Sequence, residues 1–160
     1  TQNLIELGRR RIAFLGGPEK TLTAQHRVAG YASAMEAAGL VVDPDLLAYG
    51  DYSHRFGITG MRRLLEQAPD LDGVFINSDL MAIGAIELIQ ELGKQVPQDI
   101  AVVGYDDLPI AEFNNLPLTT IRKNIPLAGK LLAENLIQYI QTGVVTNVTI
   151  PVELVVRKSA

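Results

Sequence analysis

Two carboxylates stand side by side at Asp106 and Asp107, directly after the apolar run Ile100, Ala101, Val102, Val103. At the exit of a buried strand such a pair could bind a metal, accept a phosphoryl group or hydrogen-bond a polyhydroxylated ligand. The bland alternative is a loop acid that caps the following turn. A phosphoryl acceptor would need further acids after the first strand and a Lys after a later one, whereas the first apolar run ends in Gly16, Gly17 and Pro18. That glycine pair is no dinucleotide fingerprint either, because G-x-G-x-x-G is absent. Arg27 falls near the start of the helix beyond that strand, so its side chain can reach the same edge as Asp106 or lie solvated along the helix. Tyr52 could stack on a sugar or base face, or be an ordinary loop aromatic. His26 and His54 stand alone, without the spacing or carboxylate partners of a metal site or a triad, and read as surface residues. With no nucleophile–base pair and no metal cluster, the sequence predicts no catalytic residue, no metal and no cofactor, which disfavours an enzyme.

The elements that must position these groups centre on residues 71–107. Val74, Phe75 and Ile76 form a β-rich apolar run stopped by Asn77, Ser78 and Asp79. Asp79 is placed to cap a helix in which Met81, Ile83, Ile86, Leu88 and Ile89 recur three and four apart, and Gly93 closes it. A turn containing Pro97 then leads into the second buried strand. This βαβ unit implies a parallel sheet, and in open parallel sheets ligands bind beyond the carboxyl ends of the strands. Met81, Ile83 and Ile86 could be core or could form a subunit interface.

Upstream, residues 1–8 read as the tail of a helix stopped by Gly8, residues 12–15 as a buried strand, and about 21–38 as a helix ending before Gly39. Leu46, Leu47 and Ala48 read as a strand, and Ser53 as the N-cap of a helix that ends before Pro69. Downstream, residues 108–115 read as a short, partly helical connection and 116–123 as extended. Residues 125–142 form an amphipathic helix expected to bury Leu127, Leu131, Leu132, Leu136, Ile137 and Ile140, with Gly143 as its stop. The alternation from Val148 to Val156 predicts a half-exposed strand, with Pro151 suited to an edge. About five βα steps make an α/β fold: a Rossmann-like parallel sheet with helices on both faces, plus a helix that leaves it.

With 160 residues, 48% of them hydrophobic, the chain can bury one sizeable core. It has no cysteine, which rules out disulfides and thiol chemistry and fits a cytoplasmic protein. No apolar run approaches the roughly 20 residues of a membrane span. A net charge of −4 argues against a nucleic-acid surface, and the one basic cluster, Arg9, Arg10 and Arg11, reads as capping the C-terminal end of a helix.

Laid end to end, the words LGRRRIAFLGGP, AQHRVAGYASAMEAAGL, GVFINSDLMAIGAIELIQELGKQVPQDIAVVGYDDLPIAEFNNLPLTTIR and IPVELVVRKSA resemble the C-terminal part of the effector-binding domain of LacI/GalR-family bacterial transcription regulators. The resemblance implies two Rossmann-like lobes of the periplasmic-binding-protein type I fold behind a helix-turn-helix headpiece. Residues 1–123 and the return strand in 145–160 would then belong to the C-terminal lobe and the helix in 124–144 to the N-terminal lobe, the rest of which, with the headpiece, lies outside this sequence. By motif position, Arg27 resembles the family's effector-binding Arg and Asp106 its acidic counterpart. Tyr52 resembles the stacking aromatic, Ser78 a polar partner that is Asn in the lactose repressor, and Thr21 and Thr23 fall in the ligand-facing loop. Lys123 stands where some members have Gln. Ser78 and Lys123 thus depart from the lactose-repressor pattern. The helix 79–92 and segment 108–115 resemble the family's dimer interface, naming Met81, Ile83, Ile86 and Phe113. The expected partners are a small-molecule effector (a sugar or derivative first, a purine second), a second copy of the chain, and operator DNA through the headpiece. A solute-binding protein of transport shares the lobed fold and is the alternative.

Overall fold

The computed structural model describes residues 1–160. Its elements run α1 (Gln2–Glu6), β1 (Ile12–Gly16), α2 (Leu22–Ala37), β2 (Leu47–Tyr49), α3 (His54–Gln67), β3 (Gly73–Ile76) and α4 (Asp79–Glu91). They continue with β4 (Ala101–Asp106), α5 (Pro109–Phe113), β5 (Thr119–Lys123), α6 (Ile125–Thr142) and β6 (Val152–Val155). The sheet order is β2-β1-β3-β4-β5-β6, and only the β5–β6 pair is antiparallel. The chain order reverses between β1 and β3, the switch point at which open α/β sheets open a crevice.

Alternation along the central strands divides the core in two. Ala13, Leu15, Val74, Ile76 and Val102 face α3 and α4, while Ile12, Phe14, Phe75, Ala101 and Val103 face α1 and α2. Burial on both faces explains why these strands read as continuous apolar runs. Ser53 caps α3 as expected, its side chain accepting the Phe56 amide, and Gly93 and Gly143 stop α4 and α6 at φ +76° and +71°. Of the arginine cluster only Arg10 closes a helix, its Nη1 donating to the Ile5 carbonyl of α1; Arg9 reaches the carbonyls of Pro97 and Gln98 in a turn, and Arg11 pairs with Asp70 and Asp43.

Five expectations need correction. Asp79 is not the N-cap of α4; Ser78 is, its hydroxyl accepting the Met81 amide, because the fully buried Asp79 carboxylate is engaged elsewhere. Met81, Ile83 and Ile86 offer no subunit surface, since all three are buried within the single chain. The reason is a glycine-mediated crossing: Gly57 lies against the Met81 backbone carbonyl and Gly84 against that of His54, so α3 and α4 touch backbone to backbone. Of the expected interface residues only Phe113 is exposed, at 81%, with Leu80, Leu108 and Ile110 also exposed. Third, no residue of α6 is buried; Leu132, Leu136, Ile137 and Ile140 are exposed, because no other element of this chain covers that face. Fourth, His54 does have a carboxylate partner, Glu87 of α4, at 2.9 Å. Last, the final strand is shorter than its alternation predicts, pairing with β5 only over Val152–Val155.

Candidate functional site

The carboxyl ends of β1, β3 and β4 deliver the chemistry. Arg27, half-buried on α2, turns back over the sheet edge: its Nη1 donates to the Asn77 carbonyl at 2.7 Å, and its guanidinium carbon lies 3.5 Å from the centroid of the Tyr105 ring. That stack holds the planar cation in place while leaving other N–H donors free. The next residue, Asp106, accepts from Lys123 Nζ at 2.6 Å, and the same ammonium lies 5.8 Å from the Tyr105 ring. Arg27, Asp106 and Lys123, each expected from sequence, therefore gather around Tyr105, which was not.

The two aspartates have divergent tasks. Both have positive φ, +122° at Asp106 and +56° at Asp107, a region that L-residues rarely occupy and that re-aims successive side chains. Asp107 turns away from the edge and clamps two arginines: Arg122 Nε donates to it at 2.6 Å, and Arg157 Nη2 lies 2.8 Å from its Oδ1. Burial pushes the Asp107 carboxyl up, but the hydrogen bond from Arg122, the close contact with Arg157 and the charges of both outweigh it and hold the pKa below the usual carboxylate value. Asp107 is thus neither ligand group nor simple turn cap.

Behind this loop sits Asp79, whose role sequence reasoning missed. Its Oδ2 accepts the Leu108 amide at 2.7 Å and its Oδ1 accepts the Thr120 hydroxyl at 2.5 Å, joining the first turn of α4 to the loop after β4 and to β5. Gly104 makes room for it, since a Cβ there would stand 2.6 Å from Asp79 Oδ1. Burial raises the Asp79 pKa above the usual value, and the charges of Asp106 and Asp107 add to the shift; the bonds from Thr120 and Leu108 oppose it.

The remaining expected residues lie around the rim. Tyr52 packs its ring against Gly17 at the exit of β1, where any side chain would collide with it. Thr21 caps α2, accepting the Ala24 amide at 3.2 Å and donating to the Pro18 carbonyl at 2.8 Å. Thr23 is exposed in the first turn of that helix, and the Ser78 hydroxyl is committed to the cap of α4. A signal for Tyr105 was present: it follows Val103 by two residues and so shares that residue's face of the sheet.

A mostly parallel sheet covered by helices on both faces, with polar groups gathered at its carboxyl edge, defines a Rossmann-like α/β lobe. Comparison with known proteins supplies the particular family. The family described as "Periplasmic binding protein-like domain" matches residues 1–160. The HTH-type transcriptional regulator CelR of Thermobifida fusca is 43% identical over 155 residues, 97% of this chain and 44% of that protein. The ribose operon repressor of Escherichia coli (strain K12) is 40% identical over 140 residues, 88% of this chain and 42% of its own length. Among solved structures, a CelR–cellobiose complex superposes with a TM-score of 0.94 at 40% identity, over 99% of this chain and 49% of that one. A lac repressor dimer bound to operator and the anti-inducer ONPF gives 0.91 at 33% identity, over 99% and 55%. The chain belongs to the periplasmic-binding-protein-like domain family, as the effector-binding part of a LacI/GalR-type regulator. It spans under half the length of CelR and of the ribose operon repressor.

Proposed function

We propose that this chain senses a sugar or sugar derivative and supplies the dimer contacts of a bacterial DNA-binding transcription repressor working in the cytoplasm. The observation that carries the reading is the gathering of Arg27, Tyr105, Asp106 and Lys123 on one carboxyl edge of the sheet. Arg27 donates paired, planar hydrogen bonds, an ionised Asp106 only accepts, and the aromatic ring supplies an apolar wall. That set suits a ligand with several hydroxyls, each of which both donates and accepts. A structure of the related CelR carries cellobiose, which supports the same ligand class.

In this reading residues 1–123 and 145–160 form one lobe, and 124–144 reach into a second, whose core would cover the exposed face of α6. Effector bound between the lobes favours the closed arrangement, and a DNA-reading headpiece outside this chain reports the shift. Leu80, Leu108, Ile110 and Phe113 form the self-association surface in place of the buried Met81, Ile83 and Ile86. The net charge of −4 fits a chain that does not itself hold DNA.

Calorimetric titration of the full-length protein against cellobiose, glucose, ribose and adenine tests the reading. Arg27→Ala and Asp106→Ala should each weaken the sugar that binds by about 1.5–3 kcal/mol, the range for hydrogen bonds to charged groups, while effector-free operator binding stays close to normal. Unchanged affinity in both variants would place the ligand elsewhere.

A further inference from the structure

Asn77 is fully buried at the end of β3, and neither its Nδ2 nor its Oδ1 has a hydrogen-bond partner in the chain. Its backbone is satisfied: the amide donates to the Leu15 carbonyl at 2.9 Å, and the carbonyl accepts from Arg27 Nη1 at 2.7 Å. The side chain alone stands unpaired, and a buried carboxamide with both ends idle is rare and costly unless something polar meets it.

Strand alternation says where the carboxamide points. Phe75 lies on the α2 side of the sheet, and residues two apart share a face, so Asn77 faces that side as well, one rung nearer the carboxyl edge. Phe75 is the last residue of β3 to pair with β4, opposite Val103, and carrying that register one rung on sets Asn77 beside Tyr105; Arg27 links the two, its Nη1 on the Asn77 carbonyl and its guanidinium over the Tyr105 ring. The unpaired amide therefore belongs to the floor of the Arg27–Tyr105 site.

We propose that the Asn77 carboxamide is a hydroxyl-binding group of this site, donating through Nδ2 and accepting through Oδ1, filled by a sugar hydroxyl when effector is bound and by water otherwise. The proposal rests on the sugar-sensing reading above for the identity of the effector, but not for the hydroxyl chemistry. A carboxylate could not satisfy the acceptor Oδ1, and an ammonium could not satisfy the donor Nδ2; a hydroxyl serves both. Complete burial favours one small oxygen over a planar purine, whose ring needs more room than a fully covered amide offers. Arg27, half-buried and bound to the carbonyl of the same residue, is the side chain that shifts to admit it.

The test is titration of full-length wild type and Asn77→Leu with cellobiose, glucose and ribose, beside their melting temperatures and crystal structures of the wild type with and without sugar. Asn77→Leu should weaken the sugar that binds about tenfold or more, a loss of about 1.4 kcal/mol, while melting no lower than wild type because no protein group pairs with the amide that has gone. Equal affinity in the two proteins overturns the proposal. If the variant does not fold, the sugar complex decides: a hydroxyl within hydrogen-bond distance of Nδ2 or Oδ1 supports it, and none there overturns it. If no sugar binds wild type, the sugar reading falls, and the ligand-free crystal judges this inference: an ordered water on the amide sustains it, a dry amide overturns it.

Discussion

Replacing Asp107 with Ala removes the one carboxylate that holds Arg122 and Arg157 together. The two arms differ in burial: the side chains of Asp107 and Arg157 are only 10% and 13% exposed, whereas that of Arg122 is 48% exposed. Removing one partner from a buried pair leaves the other charge uncompensated, which costs about 3–5 kcal/mol when burial is complete. Here the loss falls at the low end, because Arg157 keeps its 2.9 Å bond to the Leu118 carbonyl. The exposed Arg122 arm adds at most about 1 kcal/mol. Position 107 also sits at φ +56°, where alanine is strained by a further 1 kcal/mol or so. The sum for Asp107→Ala is about 4 kcal/mol, against under about 1 kcal/mol for Arg122→Ala. Urea unfolding of both variants at neutral pH measures the difference. A lowered Asp107 pKa gives stability that is present above the unfolded value of 3.8 and lost as pH falls through the folded value, so the Asp107→Ala deficit should shrink in acid. Equal costs in the two variants, or a deficit that grows as pH falls, would refute the clamp.

Asp79 should behave in the opposite sense. Its folded pKa is raised above 3.8, so the stability it contributes is fully present below that value and is lost as pH rises through the folded pKa; Asp79→Asn should therefore gain on wild type between pH 3.5 and 7. Urea unfolding across that range checks it, and a constant gap would mean that Asp79 titrates as an ordinary surface acid. At the α3–α4 crossing, Gly84→Ala drives a methyl group into the His54 carbonyl and should cost about 3 kcal/mol or more, whereas Gly30→Ala, with open space around it in α2, should stabilise by about 0.5–1 kcal/mol. Melting temperatures that move the same way in both variants would contradict the packing described for that crossing.

The fold was legible because its central strands are buried on both faces and its helices carry clear stops, so composition and period agree from 12 to 106. Where the reading went wrong, the cause was a contact distant in sequence. Asp79 stands at a cap position by type, but Leu108 and Thr120 claim its carboxylate, and Ser78 inherits the cap. The apolar stripe of α4 suggested more surface than one lobe could cover. Two glycines bring α3 close enough to bury it, and glycine spacing in separate helices does not announce that they meet. For α6 the period was right and the burial wrong, since amphipathicity states that a face wants covering and not which part of a protein covers it.

The same distinction governs the site. Residue type marked Asp106 and Asp107 alike, and nothing local separates them. Lys123 lies 2.6 Å from the first, while Arg122 and Arg157 close on the second, so neighbouring cations on one strand are dealt to opposite sides of one loop. Alternation along β5 sends adjacent side chains to opposite faces, and the paired positive φ values turn adjacent carboxylates apart to meet them. One acid stays with Lys123 at the carboxyl edge of the sheet and the other fastens β5 to the segment that follows β6, the two passages by which the chain leaves for α6 and returns. If Asp106 meets the effector as proposed, that chemistry is one peptide bond from the clamp at that crossing, and a ligand that pulls Lys123 from Asp106 acts on the strand that Asp107 holds through Arg122.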